Sequence, residues 1–210
     1  MSLANVPEGI SSARRRARAA RAGKLAESNG KNGNLSKEDW LNAALAVLNE
    51  EGVNAVKVLP LSKRLGVTRG SFYWHFDDRD ELLREVLRHW DEELTGTVIA
   101  HASGLEVSPR EKLQDVLTNV LLNRRNIYDT AISAWGAFDE EAAKVYNRVI
   151  RKRLRFLSTI LAEAGIEKKE AAFRARLVLG FVLAEVSDRG RRSKADMQDD
   201  VKRCCDIIFA

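Results

Sequence analysis

The sequence LSKRLGVTRGSFYWHF, residues 61–76, indicates the fold more clearly than any other part of the chain. It divides at Gly66 into two short segments with helical patterning, and glycine readily adopts the left-handed backbone of a tight turn. Pro60 lies near the start of the first segment, where its missing N–H costs little. Thr68 stands where it can cap the second segment, which we expect to run through Phe76. Two short helices joined by a tight, glycine-containing turn are typical of a helix-turn-helix.

Charge is segregated around this motif. Residues 57–76 contain basic side chains and no acid, whereas acidic pairs stand on both sides of them, at positions 50–51 and 77–78. A generic exposed helical hairpin gives no reason for such a distribution. It favours a surface that meets phosphate groups, which basic side chains bind. The basic residues of the segment are Lys57, Lys63, Arg64 and Arg69.

Helical patterning continues on both sides of the motif. Ser36 is suited to cap a first helix that begins with Glu38 and Asp39 and ends at Gly52. The chain has only three prolines and few β-branched runs, so no segment predicts a strand. We therefore predict an all-α protein with about nine helices. A three-helix helix-turn-helix DNA-binding domain would be followed by a C-terminal helical bundle.

The N-terminal arm holds all of the net charge. Residues 1–35 carry seven basic and two acidic side chains, and acids and bases balance in the rest of the 210 residues. Such arms usually bind nucleic acid, but a solubilising tail, an anionic membrane surface and a transit peptide are alternatives. We predict a basic arm over 1–34, the DNA-binding domain over 35–80, and a ligand-binding and dimerisation domain over 81–210.

Composition argues against several other classes of protein. The two cysteines, Cys204 and Cys205, are adjacent, which indicates a reducing compartment rather than a disulfide framework. No apolar run approaches the roughly 20 residues of a membrane helix. His89 and His101 lack partners at metal-ligand spacing. We expect a cytoplasmic protein with no catalytic site, metal or cofactor; a helical adaptor for protein partners and an all-helical enzyme are the alternatives.

From Ser36 to Leu82 the sequence resembles the DNA-binding domain of the TetR family of transcriptional repressors. The most specific part is Tyr73-x-His75-Phe76, which ends just after Gly66-Val67-Thr68. The chain has Lys57 where the family often has Thr or Ser, and Arg79 where it usually has Lys. The resemblance implies a homodimeric repressor that binds a palindromic operator in double-stranded DNA and is released by a small-molecule effector.

The resemblance and the side-chain chemistry together predict the DNA contacts. Arg69 lies at the start of the second helix, which enters the major groove in such motifs, and it can bind guanine in a bidentate manner. Tyr73 and His75 look like phosphate contacts, although Tyr73 also suits a covering role and His75 a buried one. The predicted DNA-binding residues are Lys57, Thr68, Arg69, Gly70, Ser71, Tyr73, Trp74, His75 and Arg79, together with Arg14, Arg15 and Arg16 of the arm.

The C-terminal part is expected to dimerise and to bind the effector. Residues 177–186 are apolar on nearly every side, which predicts burial against a second subunit, so we expect a homodimer through the last two helices. The resemblance also implies a pocket between the middle helices. From the positions of aromatic residues we predict an apolar pocket lined by Trp90, His101, Leu121, Tyr128, Trp135 and Phe138.

Overall fold

The computed structural model describes residues 35–186 and 193–210, and within these ranges it contains nine helices and no strand. The predicted all-α class is confirmed. Among the described residues, no helix has the length and apolar character needed to cross a membrane. The helices are α1 (Lys37–Glu51), α2 (Val58–Arg64), α3 (Arg69–His75), α4 (Arg79–Asp91, a π-helical turn Glu92–Gly96, then Thr97–Ser103), α5 (Pro109–Leu122), α6 (Asp129–Gly136), α7 (Glu140–Glu163), α8 (Lys168–Ala184) and α9 (Lys194–Ile208).

The ends of α1 follow from its sequence as predicted. The Ser36 hydroxyl accepts a hydrogen bond from the Asp39 N–H at 3.2 Å, and the Asp39 carboxylate accepts one from the Ser36 N–H at 2.7 Å, which forms a capping box. Gly52 follows the helix with φ of 85°, and its N–H donates to the Leu48 carbonyl. The left-handed backbone at Gly52 therefore ends α1.

A first hydrophobic core joins the three N-terminal helices to the first half of α4. The Trp40 and Phe72 rings meet edge to face with centroids 5.4 Å apart, and Phe76 packs on Phe72 at 5.2 Å. All three side chains are fully buried. The core also includes Trp90 on α4 and residues of α6 and α7, so it extends well beyond residue 80, where we predicted a domain boundary.

A second core lies among the second half of α4 and helices α5, α7, α8 and α9. Its α9 contribution includes Val201, Cys205 and Ile208, which are three of the residues that form the apolar face of the last helix. Burial raises the pKa of the Cys205 thiol to about 11. Cys205 is therefore un-ionised at neutral pH. Because only the thiolate is reactive, it is an unreactive side chain of the core.

A buried polar network lies where the two cores meet. The guanidinium of Arg153 on α7 binds both carboxylate oxygens of Asp129 on α6, at 2.6 and 3.2 Å, and also contacts the Thr95 hydroxyl in the π-helical turn of α4. The Asp129 carboxylate also accepts a hydrogen bond from the Trp90 indole N–H at 3.0 Å. Asp129 is fully buried, and the network ties α4, α6 and α7 together.

Replacing Asp129 with Asn should destabilise the protein strongly. The change leaves the Arg153 charge, which is 14% exposed, without its counter-ion. Breaking a buried pair in this way costs about 3 kcal/mol of unfolding free energy. Urea denaturation measures the loss.

The matched control is Glu140→Gln, which removes the same charge from the exposed pair between Glu140 and Lys144 on α7. It should change the unfolding free energy by less than about 0.5 kcal/mol. Equal losses for the two variants would contradict a stabilising role of the buried network.

Candidate nucleic-acid interface and cavity

The turn between α2 and α3 is a compact, hydrogen-bonded structure. Gly66 has φ of 68°, its N–H donates to the Lys63 carbonyl at 3.2 Å, and the Val67 N–H donates to the Ser62 carbonyl at 3.0 Å. The left-handed backbone at Gly66 turns the chain out of α2 and places the start of α3 beside it. The predicted helix-turn-helix is present, although α2 begins at Val58, two residues before Pro60.

Helix α3 has one face in the core and another in solvent. Phe72 and Phe76, at the end of the helix, are fully buried against α1. Arg69, Tyr73 and Trp74 are exposed, with Tyr73 47% and Trp74 38% accessible. Because α3 is fixed through its phenylalanines, its N-terminal turn and outer face project from the protein.

The other predicted DNA-binding residues near this face differ in how exposed they are. Lys57, Thr68 and Gly70 are exposed, and Ser71 is half-buried. A Cβ at Gly70 would meet only the Thr68 hydroxyl, at 3.5 Å, so packing within the chain does not require glycine there. Thr68 occupies the N-cap position of α3, but its side chain makes no capping hydrogen bond, so the predicted capping role is wrong.

Two predicted phosphate contacts are hydrogen-bonded within the protein. Arg79 donates to the Val56 carbonyl at 2.6 Å and to the Val53 carbonyl at 2.7 Å, which ties α4 to the segment before α2. The His75 Nε2 lies 3.0 Å from the Leu35 carbonyl, and the ring is half-buried. These contacts give both side chains a structural role within the protein, which we expect to replace the predicted phosphate contacts.

The basic segment, residues 57–76, also has less unpaired positive charge than its sequence indicates. Arg64 forms a two-armed salt bridge with Glu50 on α1, at 2.6 and 2.8 Å. This hydrogen bonding lowers the pKa of the Glu50 carboxyl, which therefore stays ionised beside Arg64. Among the described residues, Lys57, Lys63 and Arg69 are the exposed cations of residues 57–76 that form no ion pair. Arg14, Arg15 and Arg16 lie outside the described residues.

A cavity lies among the middle helices of the C-terminal part. The space between its surrounding atoms is about 540 Å³, including the portion open to solvent. Its walls come from the second half of α4, from α5, α7 and α8, and from the loop after α5. The apolar lining residues are Leu94, Val98, Ile99, Val116, Leu117, Val120, Phe156, Leu157, Val178, Leu179 and Val182, and the polar ones are Thr95, Arg125, Asn126 and Arg153.

None of the six residues that we predicted for the pocket lines this cavity. Trp90 and Trp135 belong to the first core, against which Tyr128 packs, and Leu121 belongs to the second. His101 is exposed and lies 3.2 Å from the Asp115 carboxylate, and Phe138 is 71% exposed. Trp90 and Trp135 fill the core between the helices, whereas the apolar residues that line the open space are aliphatic except for Phe156.

The residues that line the cavity left a weak signal in the sequence. Val116 and Val120 on α5, and Val178 and Val182 on α8, recur at helical spacing, as the residues of one face do. The spacing identifies such faces but cannot say which of them meet around an empty space. Arg153 likewise looks like one more member of a charged helix until Asp129, distant in sequence, is seen opposite it.

Comparison with known proteins assigns the DNA-binding part. Residues 41–86, which span α1 to α4, match the family model described as "Bacterial regulatory proteins, tetR family". The DNA-binding part of this chain is therefore similar to that of TetR-family transcriptional regulators. The relatives that the chain matches are transcriptional regulators rather than enzymes.

Relatives extend the similarity into the C-terminal part. The HTH-type transcriptional regulator AcrR of Shigella flexneri is 27% identical over 86 residues, which are 41% of this chain and 40% of AcrR. The HTH-type transcriptional repressor KstR2 of Rhodococcus jostii is 28% identical over 173 residues, which are 82% of this chain and 74% of that protein. A transcriptional regulator from Aquifex aeolicus shares the fold, with a TM-score of 0.66, 19% identity, and coverage of 84% of this chain and all of the other.

The salt dependence of DNA binding should separate Lys57 from Arg79. Lys57→Gln should lower the slope of log K against log salt by about 0.9 for each protomer bound, because each protomer neutralises one fewer phosphate, and should leave the melting temperature unchanged. Arg79→Gln should leave that slope unchanged and lower the melting temperature, because it removes two hydrogen bonds to backbone carbonyls. The reverse pattern would return Arg79 to the DNA contacts.

Proposed function

We propose that this protein belongs to the TetR family and is a cytoplasmic homodimeric repressor that binds a palindromic operator and is released by a small-molecule effector. The observation that carries the DNA-binding part is the geometry of α3. Its buried phenylalanines fix the helix, and Arg69, Gly70, Tyr73 and Trp74 are exposed on its other side. Repression is supported by the name of the similar repressor KstR2 of Rhodococcus jostii.

In the proposed complex, the N-terminal turn of α3 enters the major groove. Arg69 reads a base edge there, since its guanidinium can bind guanine with two hydrogen bonds. Gly70 lets the helix approach the DNA closely, and Tyr73 contacts a phosphate. Lys57, Thr68, Ser71 and Trp74 line the same side and position the helix on the backbone. The basic arm adds contacts to neighbouring phosphates.

Dimerisation is supported by an exposed apolar stripe on α8. Phe173 and Leu177 are each 48% exposed, and Gly180 and Ala184 continue the same exposed face at helical spacing. Ile207 on α9 is 72% exposed. We propose that a second copy of the chain covers this stripe. The dimer then holds its two α3 helices about 34–36 Å apart, or a multiple of that distance, which matches whole helical turns of DNA.

Release by an effector requires two conformations of the dimer, one that binds the operator and one that does not. The effector must bind these two conformations with different affinities. The cavity is the proposed effector site. Arg153 lines it, and its guanidinium lies over the Trp90 ring, 5.3 Å from the centroid. Trp90 belongs to the core that carries α1 to α3. A ligand that moves Arg153 therefore acts on the packing that positions the DNA-binding helices.

The DNA contacts are tested by the double substitution Arg69→Ala and Tyr73→Phe. Both side chains are exposed, so the melting temperature and the oligomeric state should stay unchanged while operator binding is lost. Loss of a good bidentate base contact alone costs about 1–3 kcal/mol of discrimination. Arg151→Ala, at an exposed position on α7, is the control and should bind as the natural protein does. Retained operator binding by the double variant would contradict this assignment.

The dimer interface is tested by Phe173→Glu. A charge at the centre of an apolar interface leaves an unpaired buried carboxylate, so the variant should become monomeric in analytical ultracentrifugation. Phe138→Glu is the matched control, because Phe138 is an equally apolar exposed residue that lies outside α8 and α9. A dimeric Phe173→Glu protein, or a monomeric Phe138→Glu protein, would contradict the proposed interface.

A further inference from the structure

We infer that the cavity takes an amphiphile with an apolar chain and a carboxylate head, and that Arg125 binds the head. The inference rests on the proposed effector function and adds to it the chemical class of the ligand and the residue that selects it. It follows from the charges and hydrogen bonds of the two arginines that line the cavity.

Most of the cavity wall suits a hydrocarbon chain. Eleven of its fifteen lining residues are apolar, and they come from four helices. Burial of a hydrocarbon chain against such a wall is favourable, and it becomes more favourable with each methylene group that is buried. The four polar residues are Thr95 of the π-helical turn, Asn126 of the loop after α5, and the two arginines.

Arg153 does not supply an unbalanced charge. Its guanidinium is matched by the fully buried Asp129 carboxylate through two hydrogen bonds, and it donates further to the Thr95 hydroxyl. An anionic ligand at Arg153 would compete with Asp129 and leave that carboxylate buried without its partner. Such an exchange is costly, so Arg153 is a poor first site for an anion.

Arg125 differs from Arg153 in having no carboxylate partner among the described residues. Its guanidinium donates to the Glu93 carbonyl at 2.9 Å and lies 3.2 Å from the Thr97 hydroxyl, both neutral groups. These contacts hold the side chain against α4. Its Nε is buried and has no hydrogen-bond partner. The cavity therefore contains one uncompensated positive charge and one unused donor on the same side chain.

A carboxylate satisfies both requirements at once. It supplies the missing negative charge and accepts the hydrogen bond from Nε, and the planar guanidinium can bind it with two parallel bonds. A neutral amide accepts the hydrogen bond but leaves the charge unbalanced. The site should thus prefer a carboxylate to an amide of the same size and chain length.

Octanoate and octanamide test this preference, because they share the chain and differ in the charge of the head. Isothermal titration at low salt should show octanoate binding to the full-length protein about tenfold or more tightly than octanamide. Arg125→Gln should remove the difference, because it should weaken octanoate much more than octanamide. Arg151→Gln, at an exposed position on α7, should keep the difference.

The variant Arg125→Lys covers the case in which Arg125→Gln folds poorly. It keeps the charge but lacks Nε and the planar fork, so octanoate should bind more weakly than to the natural protein, and octanamide should lose less affinity than octanoate does. Equal binding of the two ligands by the natural protein, binding of neither, or unchanged octanoate affinity in Arg125→Lys would overturn the inference. Operator binding by the ligand-free protein is measured on the same sample, so a failure of the DNA-binding function is seen separately.

Discussion

The buried ion pair between Arg153 and Asp129 is the contact on which the arrangement of the two cores depends. It joins α7 to α6 and reaches α4 at two points. Arg153 donates to the Thr95 hydroxyl, and the Trp90 indole N–H donates to the Asp129 carboxylate. Two charges buried this deeply are tolerated only when each is matched and hydrogen-bonded, so the three helices are held in one relative position. Asp91, paired with Arg148 and Lys152, adds a more exposed link between α4 and α7 nearby.

This position gives the network two neighbours with different roles. On one side Arg153 lines the cavity. On the other side Trp90 packs in the first core, which also contains residues of α1 and α3. Helix α4 passes between them and changes to a π-helical turn at Glu92–Gly96, where Thr95 reaches the network. π-helical turns are frequent at functional sites. The proposed ligand site and the core that positions α3 therefore share the Arg153–Asp129 network, which is the physical basis of the proposed release.

The sequence predicts local structure better than it predicts which residues distant in sequence come into contact. Ser36, Gly52 and Gly66 act through neighbouring backbone, so their roles are readable from a few residues. Arg79 and Arg64 look like free cations, because the carbonyls of Val53 and Val56 and the Glu50 carboxylate that bind them become neighbours only after folding. The cavity is harder still. Aromatic residues such as Trp90 and Trp135 fill space, and the opening is left among valines and leucines whose faces meet only in the tertiary structure.

In the proposed complex, the exposed side of α3 reads DNA sequence as one of two symmetric copies. Selection of bound duplexes from a random pool by the purified full-length protein, near physiological salt, tests this reading. We expect an enriched palindrome whose half-sites are centred about one helical turn, or a multiple of it, apart. Salt-sensitive binding to every duplex with no enriched sequence would contradict it, since phosphate contacts alone carry no sequence information and basic groups such as those of the arm would then explain the binding.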